Sequence, residues 1–465
     1  MNGLRIPWRN TSNWPNWTCP TTNKGVTVIL APTNNAQSYT YRHPQELPQV
    51  LEQYLEAAFL YTQRQDLISG PSRSLQDNML LDLRIDALLD GLRVSPNPSA
   101  QIVMQALEEP SPELLFLTCI LTLESKNTPR LKQLLALAET DSDLQKGLLD
   151  AFSWVPLSFT QPLIPHLLAF NSTFFRQVGL HLYRQHQIHA DTEFERAITQ
   201  QEPSMLACAL QAVGEIGMLD LLPHCLALLN HERADIRFMA ARSCAMLGER
   251  ERSLAYLRQI ALEPGSLSSP LTKSALALLA AFMPLPEAHL FLSSLASQNP
   301  DRRLLIHMAG ELGDPASVPA LLRLMQDKTL SRLAAHAFCI ITGLDLVEND
   351  LEQAPPEDLT GGPNDDPDDD AVDSDPDEDL PWPNQQQVVA WWTNHGSAFK
   401  AGSRYLAGKE ATQHNCLAVL EHGCQAQRRA AALQLKAISP SSPLFLLDAP
   451  AWRQAARLKA LIASV

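Results

Sequence analysis

Residues 214–229 read GEIGMLDLLPHCLALL and residues 310–325 read GELGDPASVPALLRLM; the two align without a gap at a separation of 96 residues. Both open on Gly-Glu-aliphatic-Gly, both carry Pro at the tenth position, and both continue into leucines. LGERERSLAYLRQI from Leu247 is a third copy, and MPLPEAHLFLSSL from Met283 is a degenerate fourth. Counting from Gly217 through Gly248, Pro284 and Gly313, the steps are 31, 36 and 29 residues. Self-similarity at that period is the signature of a helical hairpin that buries its apolar face against neighbouring copies.

A second landmark runs with the first. Arg237, Arg302 and Arg332 each stand eleven residues before a glycine, at Gly248, Gly313 and Gly343, and each opens a run rich in small residues, as in RFMAARSCAMLG and RLAAHAFCIITG. Small residues let adjacent helices approach closely, and Gly217, Gly248 and Gly313 supply the left-handed residue that ends the first helix of each hairpin. The recurring arginines admit two readings: a binding ladder, or guanidinium groups that bond loop carbonyls and acids of the adjacent unit. Composition agrees with helix. The chain is 45% apolar but 6% aromatic with 19 glycines in 465 residues, so its apolar share is mostly Leu and Ala, which favour helices over sheets.

DIRFMAARSCAMLGERERSLAYLRQI and RRLLIHMAGELGDPASVPALLRLM resemble HEAT repeats, in particular the short variety first noticed in phycobilisome lyases, with the shared positions at Asp235, Arg237, Ala240, Ala241, Leu247, Gly248 and Glu249. Lyase activity does not follow, because the repeat is a scaffold put to many uses. The fold expected is all-α, an α-solenoid of HEAT-like helical hairpins with one acidic disordered insertion. Two further stretches narrow the resemblance. EAAFLYTQR at 56–64 with LLDGLRV at 88–94, and the W-W-x6-F-x2-G-x-R-Y-L-x-G pattern from Trp391, are similar to a family of bacterial HEAT-repeat proteins of undefined activity. Members of that family are often encoded beside type VI secretion effector and PAAR-type spike genes.

The organisation that follows has six parts. Residues 1–43, rich in Asn, Thr, Pro and Trp, read as a poorly ordered tail and depart from the resemblance, as an extension or a misassigned start codon would. Residues 44–139 form an N-terminal helical region, 140–347 the repeat array, 348–383 an acidic linker, 384–410 an aromatic-rich docking segment, and 411–465 further hairpins with a capping helix. No secretory signal is legible, the longest apolar run is broken by Pro284 and Pro286, and the eight cysteines form no CxxC pair and read as buried small hydrophobes of a reducing, cytoplasmic compartment.

Charge is concentrated in one place. Residues 348–380 hold fifteen Asp and Glu and no Lys or Arg, so the formal net charge of −15 resides in that window and the remaining 36 acids balance the 36 bases. Such a segment reads as a solvated linker, or as a lure that accelerates capture of a basic partner through Asp368, Asp369 and Asp370. Phosphate binding needs a concentrated basic face, and none is visible, so nucleic acid is not expected as a partner, nor is a membrane. Asp373, Asp375 and Asp377 match the first acids of a calcium loop, but Glu378 and Asn384 stand where Gly and Glu are required.

No other constellation carries chemistry. His181, His186 and His189 lie close in sequence without a third and fourth metal ligand at compatible spacing, and the chain has no nucleophile elbow, phosphate loop or dinucleotide fingerprint. No enzyme activity, metal or cofactor is expected. Trp391, Trp392, Phe399, Arg404 and Tyr405 carry the residue types that dominate interfaces, and serve either to dock the insertion on its own array or to bind a partner. The function expected is a non-enzymatic protein–protein interaction scaffold, an adaptor or immunity protein for a type VI secretion effector; the alternative is a general cytoplasmic scaffold with no toxin link.

Overall fold

The computed structural model describes residues 46–262, 270–298, 301–356 and 375–464. Over those residues the chain is all-α, apart from one antiparallel two-stranded ladder that pairs Tyr405–Leu406 with Lys409–Glu410. Residues 1–43, the middle of the acidic window with Asp373, and Asp368, Asp369 and Asp370 lie outside the described residues. No described helix is long and apolar enough to cross a membrane.

The described chain divides into two compact units. The first comprises residues 46–69, 77–212 and 448–453. Its helices start where local chemistry directs: Ser111 caps Pro112–Glu124 by accepting from Leu114 N–H, Ser172 caps Thr173–Gln185 by accepting from Phe175 N–H, and Pro112 takes a first-turn position that needs no donor. Pro112–Glu124 is buried on nearly every side and so lacks a clean amphipathic period. Its Phe116 stacks on Tyr61 at 4.2 Å between centroids and meets Trp154 edge-on at 5.5 Å. The buried charge of this unit is paired: Arg64 bonds Asp82 at 2.7 Å, and Asp82 also accepts from Ala451 N–H.

The second unit comprises residues 70–76, 213–447 and 454–464 and carries the two quoted stretches. Both fold alike. A left-handed glycine, Gly217 (φ +91°) or Gly313 (φ +70°), leads into a 3-10 turn and then into a short helix, Leu222–Ala227 or Val318–Leu324. The shared proline, Pro223 or Pro319, occupies the opening positions of that helix, where its missing N–H would have had no partner. The longer helices Ala234–Met246, Pro270–Phe282, Arg302–Leu312 and Ser331–Thr342 pack side by side in chain order. Small residues set the spacing of neighbouring helices: a Cβ on Gly214, in helix Pro203–Ile216, would lie 2.8 Å from Ser243 Cα, and one on Gly310 would lie 3.0 Å from Ala337 Cβ.

Candidate functional site

An α-helix ends with four carbonyls that lack intrahelical partners and with the negative pole of its dipole. In the second unit those carbonyls are met by chain from much later in the sequence. Ala407 and Gly408, the two positive-φ residues at the tip of the ladder, donate from N–H to the Ile340 and Ile341 carbonyls at 2.8 and 3.0 Å. Tyr405 N–H donates to Gly313 O at 2.7 Å. The Arg404 guanidinium spans the ends of two helices, donating to the carbonyls of Ala280, Met283 and Leu312, the last at 3.1 Å. Gln427 and Gln434, on helix Gln425–Ile438, bond the carbonyls of Cys339 and Ala281, and Leu444 N–H reaches Glu215 O at 2.7 Å. These helix ends are thus sealed by residues 404–444 of the same chain.

The five aromatic-segment residues follow this arrangement. Trp391 and Trp392, on helix Gln385–His395, are half-buried and each meets Phe338 edge-on at 5.9 Å. Phe399 bridges Trp392 and Tyr405 at 5.2 and 4.9 Å, and Tyr405 is buried. Arg404 is spent on backbone carbonyls, and burial lowers its guanidinium to about 10 against the opposing charge of Asp314.

Of the repeat arginines, Arg237 bonds the carbonyls of His231 and Glu232, both at 2.8 Å, and the Tyr256 hydroxyl at 3.0 Å. Arg302 makes one long, exposed pair with Asp327 at 3.4 Å. Arg332 reaches into the acidic window. It donates to Asp375 Oδ2 at 2.5 Å and to Asp377 O at 2.9 Å, with its guanidinium carbon 4.5 Å from the centroid of the Trp382 ring. Arg303, which sequence reasoning passed over for its neighbour Arg302, grips the Asp377 carboxylate through both nitrogens at 2.5 and 2.9 Å. Asp377 keeps 4% of its surface exposed. Burial raises the Asp375 carboxyl, but the Arg332 bond, Asp377 N–H and nearby guanidinium charge outweigh it and leave the group below its ordinary value.

The window is closed at its base. Gln353 N–H donates to Trp382 O at 2.8 Å and Asn384 N–H to Leu351 O at 2.7 Å, so its two limbs run antiparallel there. Two of the three carboxylates with calcium-loop spacing are therefore bonded to guanidinium groups.

His181 and His186 differ in their surroundings. His181 bonds Ser153 Oγ at 2.9 Å and faces Arg184 at its other nitrogen, where a catalytic dyad would need an acid. Burial and the Arg453 charge push His186 down to about 3. Among the described residues no group of three His, Cys, Asp or Glu is placed to hold a metal ion. Four thiols, Cys119, Cys225, Cys244 and Cys416, are buried, and burial raises each of them above the ordinary thiol range. A cleft of about 550 Å³ in the first unit gathers Asp86, Asp90 and Glu124 around Arg93, which bonds all three. No family model, no curated protein and no solved structure matches this chain.

Proposed function

We propose that this chain is a non-enzymatic, cytoplasmic protein–protein interaction scaffold, a HEAT-like α-solenoid that serves as adaptor or immunity protein for a type VI secretion effector. The observation that carries the scaffold reading is the side-by-side packing of Ala234–Met246, Pro270–Phe282, Arg302–Leu312 and Ser331–Thr342. Helices so packed offer one row of side chains per repeat along a continuous face, which suits an extended protein partner better than a small substrate.

The effector link is supported by the resemblance at residues 56–64, 88–94 and 391–408 and by the acidic window. Its partner is a basic effector or spike component, not nucleic acid or a membrane, and Asp368, Asp369 and Asp370 meet it first. Complementary charge of this kind raises the association rate more than the final affinity. Affinity capture of the tagged full chain from its native cell at low and moderate salt, read by mass spectrometry, tests the reading. A single dominant secreted toxin or spike protein, lost as salt rises, is the expected result. A broad set of housekeeping proteins, or none, overturns the effector link and leaves the general scaffold.

A further inference from the structure

The acids of residues 348–380 are not equivalent. Asp375 and Asp377 are seated on the array, in a strap whose other anchors are apolar: Leu380 is 6% exposed and Trp382 8%. The strap DPDEDLPW thus presents two carboxylates two residues apart, then a leucine, then a tryptophan, to Arg303 on Arg302–Leu312 and Arg332 on Ser331–Thr342. The surface beneath carries three basic side chains, Lys273, Arg303 and Arg332, beside two histidines, His307 and His336, whose values burial lowers. His307 and His336, one helical turn beyond Arg303 and Arg332, lie within electrostatic reach of Asp377, and Lys273 on Pro270–Phe282 lies within reach of His307.

Bidentate guanidinium–carboxylate contact with flanking apolar anchors is how grooves on helical scaffolds read acidic peptides. Here the ligand belongs to the chain. Trp382 is tied to Gln353 by a backbone hydrogen bond, whereas the carboxylate end is held by the side chains of Arg303 and Arg332. A groove that holds its own acidic segment is one that another acidic segment fits.

We propose that the face carrying Lys273, Arg303, His307, Arg332 and His336 is a docking groove for an acidic segment of a partner protein, of the type Asp-x-Asp followed by apolar anchors, and that Asp375–Trp382 fills it as a built-in competitor. The groove is separate from the acids assigned above to a basic partner, and it stands whether or not that partner is a secreted effector. A partner segment of matching chemistry displaces the carboxylate end of the strap and takes over both arginines. Its apparent affinity is reduced by the fraction of time the strap is seated.

The test uses the full chain and a fluorescein-labelled peptide of sequence DPDEDLPW, followed by fluorescence anisotropy. The D375N/D377N chain is expected to bind the peptide saturably and the unsubstituted chain about tenfold or more weakly, because its own strap competes. Adding R303A/R332A to that background is expected to abolish binding, and the peptide NPNEDLPW is expected to fail on every chain. Equal binding to the unsubstituted and D375N/D377N chains, no binding to the latter, or equal binding of the NPNEDLPW peptide overturns the proposal. Should the substituted chains lose their helical circular dichroism, hydrogen exchange on the unsubstituted chain decides. Excess DPDEDLPW is expected to speed exchange at the amides of residues 375–380; unchanged exchange there overturns the competitor role.

Discussion

At Gly217 two demands coincide. Its φ of +91° lies where a side chain is strained, and a Cβ there would sit 2.5 Å from the Ser441 carbonyl oxygen. Gly402 has a similar φ of +82° with nothing within 4 Å of the same point. Gly402→Ala is therefore expected to cost only the left-handed penalty, about 1–2 kcal/mol. Gly217→Ala adds displacement of residues 439–444 and is expected to cost about 1–3 kcal/mol more. Urea midpoints at unchanged slope measure both; equal losses would mean that Ser441 does not bear on the turn. The same contact buries Lys436, whose ammonium donates to the carbonyls of Pro440 and Ser442, each at 2.8 Å. Burial brings its value down to about 7, with Glu215 opposing and Arg242 and Arg250 adding to the fall. Since the unfolded lysine titrates near 10.4, it binds the extra proton between about pH 7 and pH 10, so this group makes stability rise with pH there, by at most about 1.4 kcal/mol per unit, and adds no slope below 7. Unfolding free energies at pH 7 and pH 9 are expected to differ less in Lys436→Met than in the unsubstituted chain; an identical pH slope would refute the assignment.

Among the elements, the ladder and helix Gln425–Ile438 act as caps in trans. Arg404 lies 92 residues in sequence from one of the carbonyls it bonds and 124 from another. Its planar fork reaches the ends of two helices at once, a task that a lysine, with a single ammonium, does not reproduce. Arg404→Ala is expected to destabilise the second unit by about 2–4 kcal/mol, because buried carbonyls lose a charged donor. Arg404→Lys is expected to recover less than half of that loss in the same denaturation experiment. Full recovery would show that charge near the helix ends matters and the fork geometry does not.

For the whole molecule, the question is which part of the acidic window is dispensable. Replacing residues 357–374 with a short Gly-Ser linker removes none of the described contacts and is expected to leave the melting temperature within about 1 °C of the original. Deleting residues 348–380 removes Asp375 and Asp377 and leaves Arg303 and Arg332 unpaired, with an expected loss of about 3–5 kcal/mol in the second unit. If the short deletion melts as early as the long one, residues 357–374 carry contacts of their own. A test of partner capture by charge therefore calls for the short deletion, in which fold and charge are changed separately.

The local part of this protein was written in its sequence. A period near 32 residues, runs of small residues and glycines at helix ends predict the helices of the second unit, because each depends on backbone conformation within a few residues. The helices led by Arg237, Arg302 and Arg332 begin at Ala234, Arg302 and Ser331, within three residues of those landmarks. The glycines were legible as left-handed positions but not as seats for Ser441 and Tyr405, since close approach by a distant backbone leaves no mark on the local pattern. Arg303 and Arg302 are the same residue type side by side, and only the twist of their helix turns one toward Asp377 and the other toward Asp327. Likewise the acids of the window looked alike, yet Asp375 and Asp377 were singled out by where the chain folds back over the array. The sequence by itself determined the helices and their repeat; tertiary structure decided which charges are spent internally, because pairing across 43 to 74 residues depends on long-range packing that no local preference encodes.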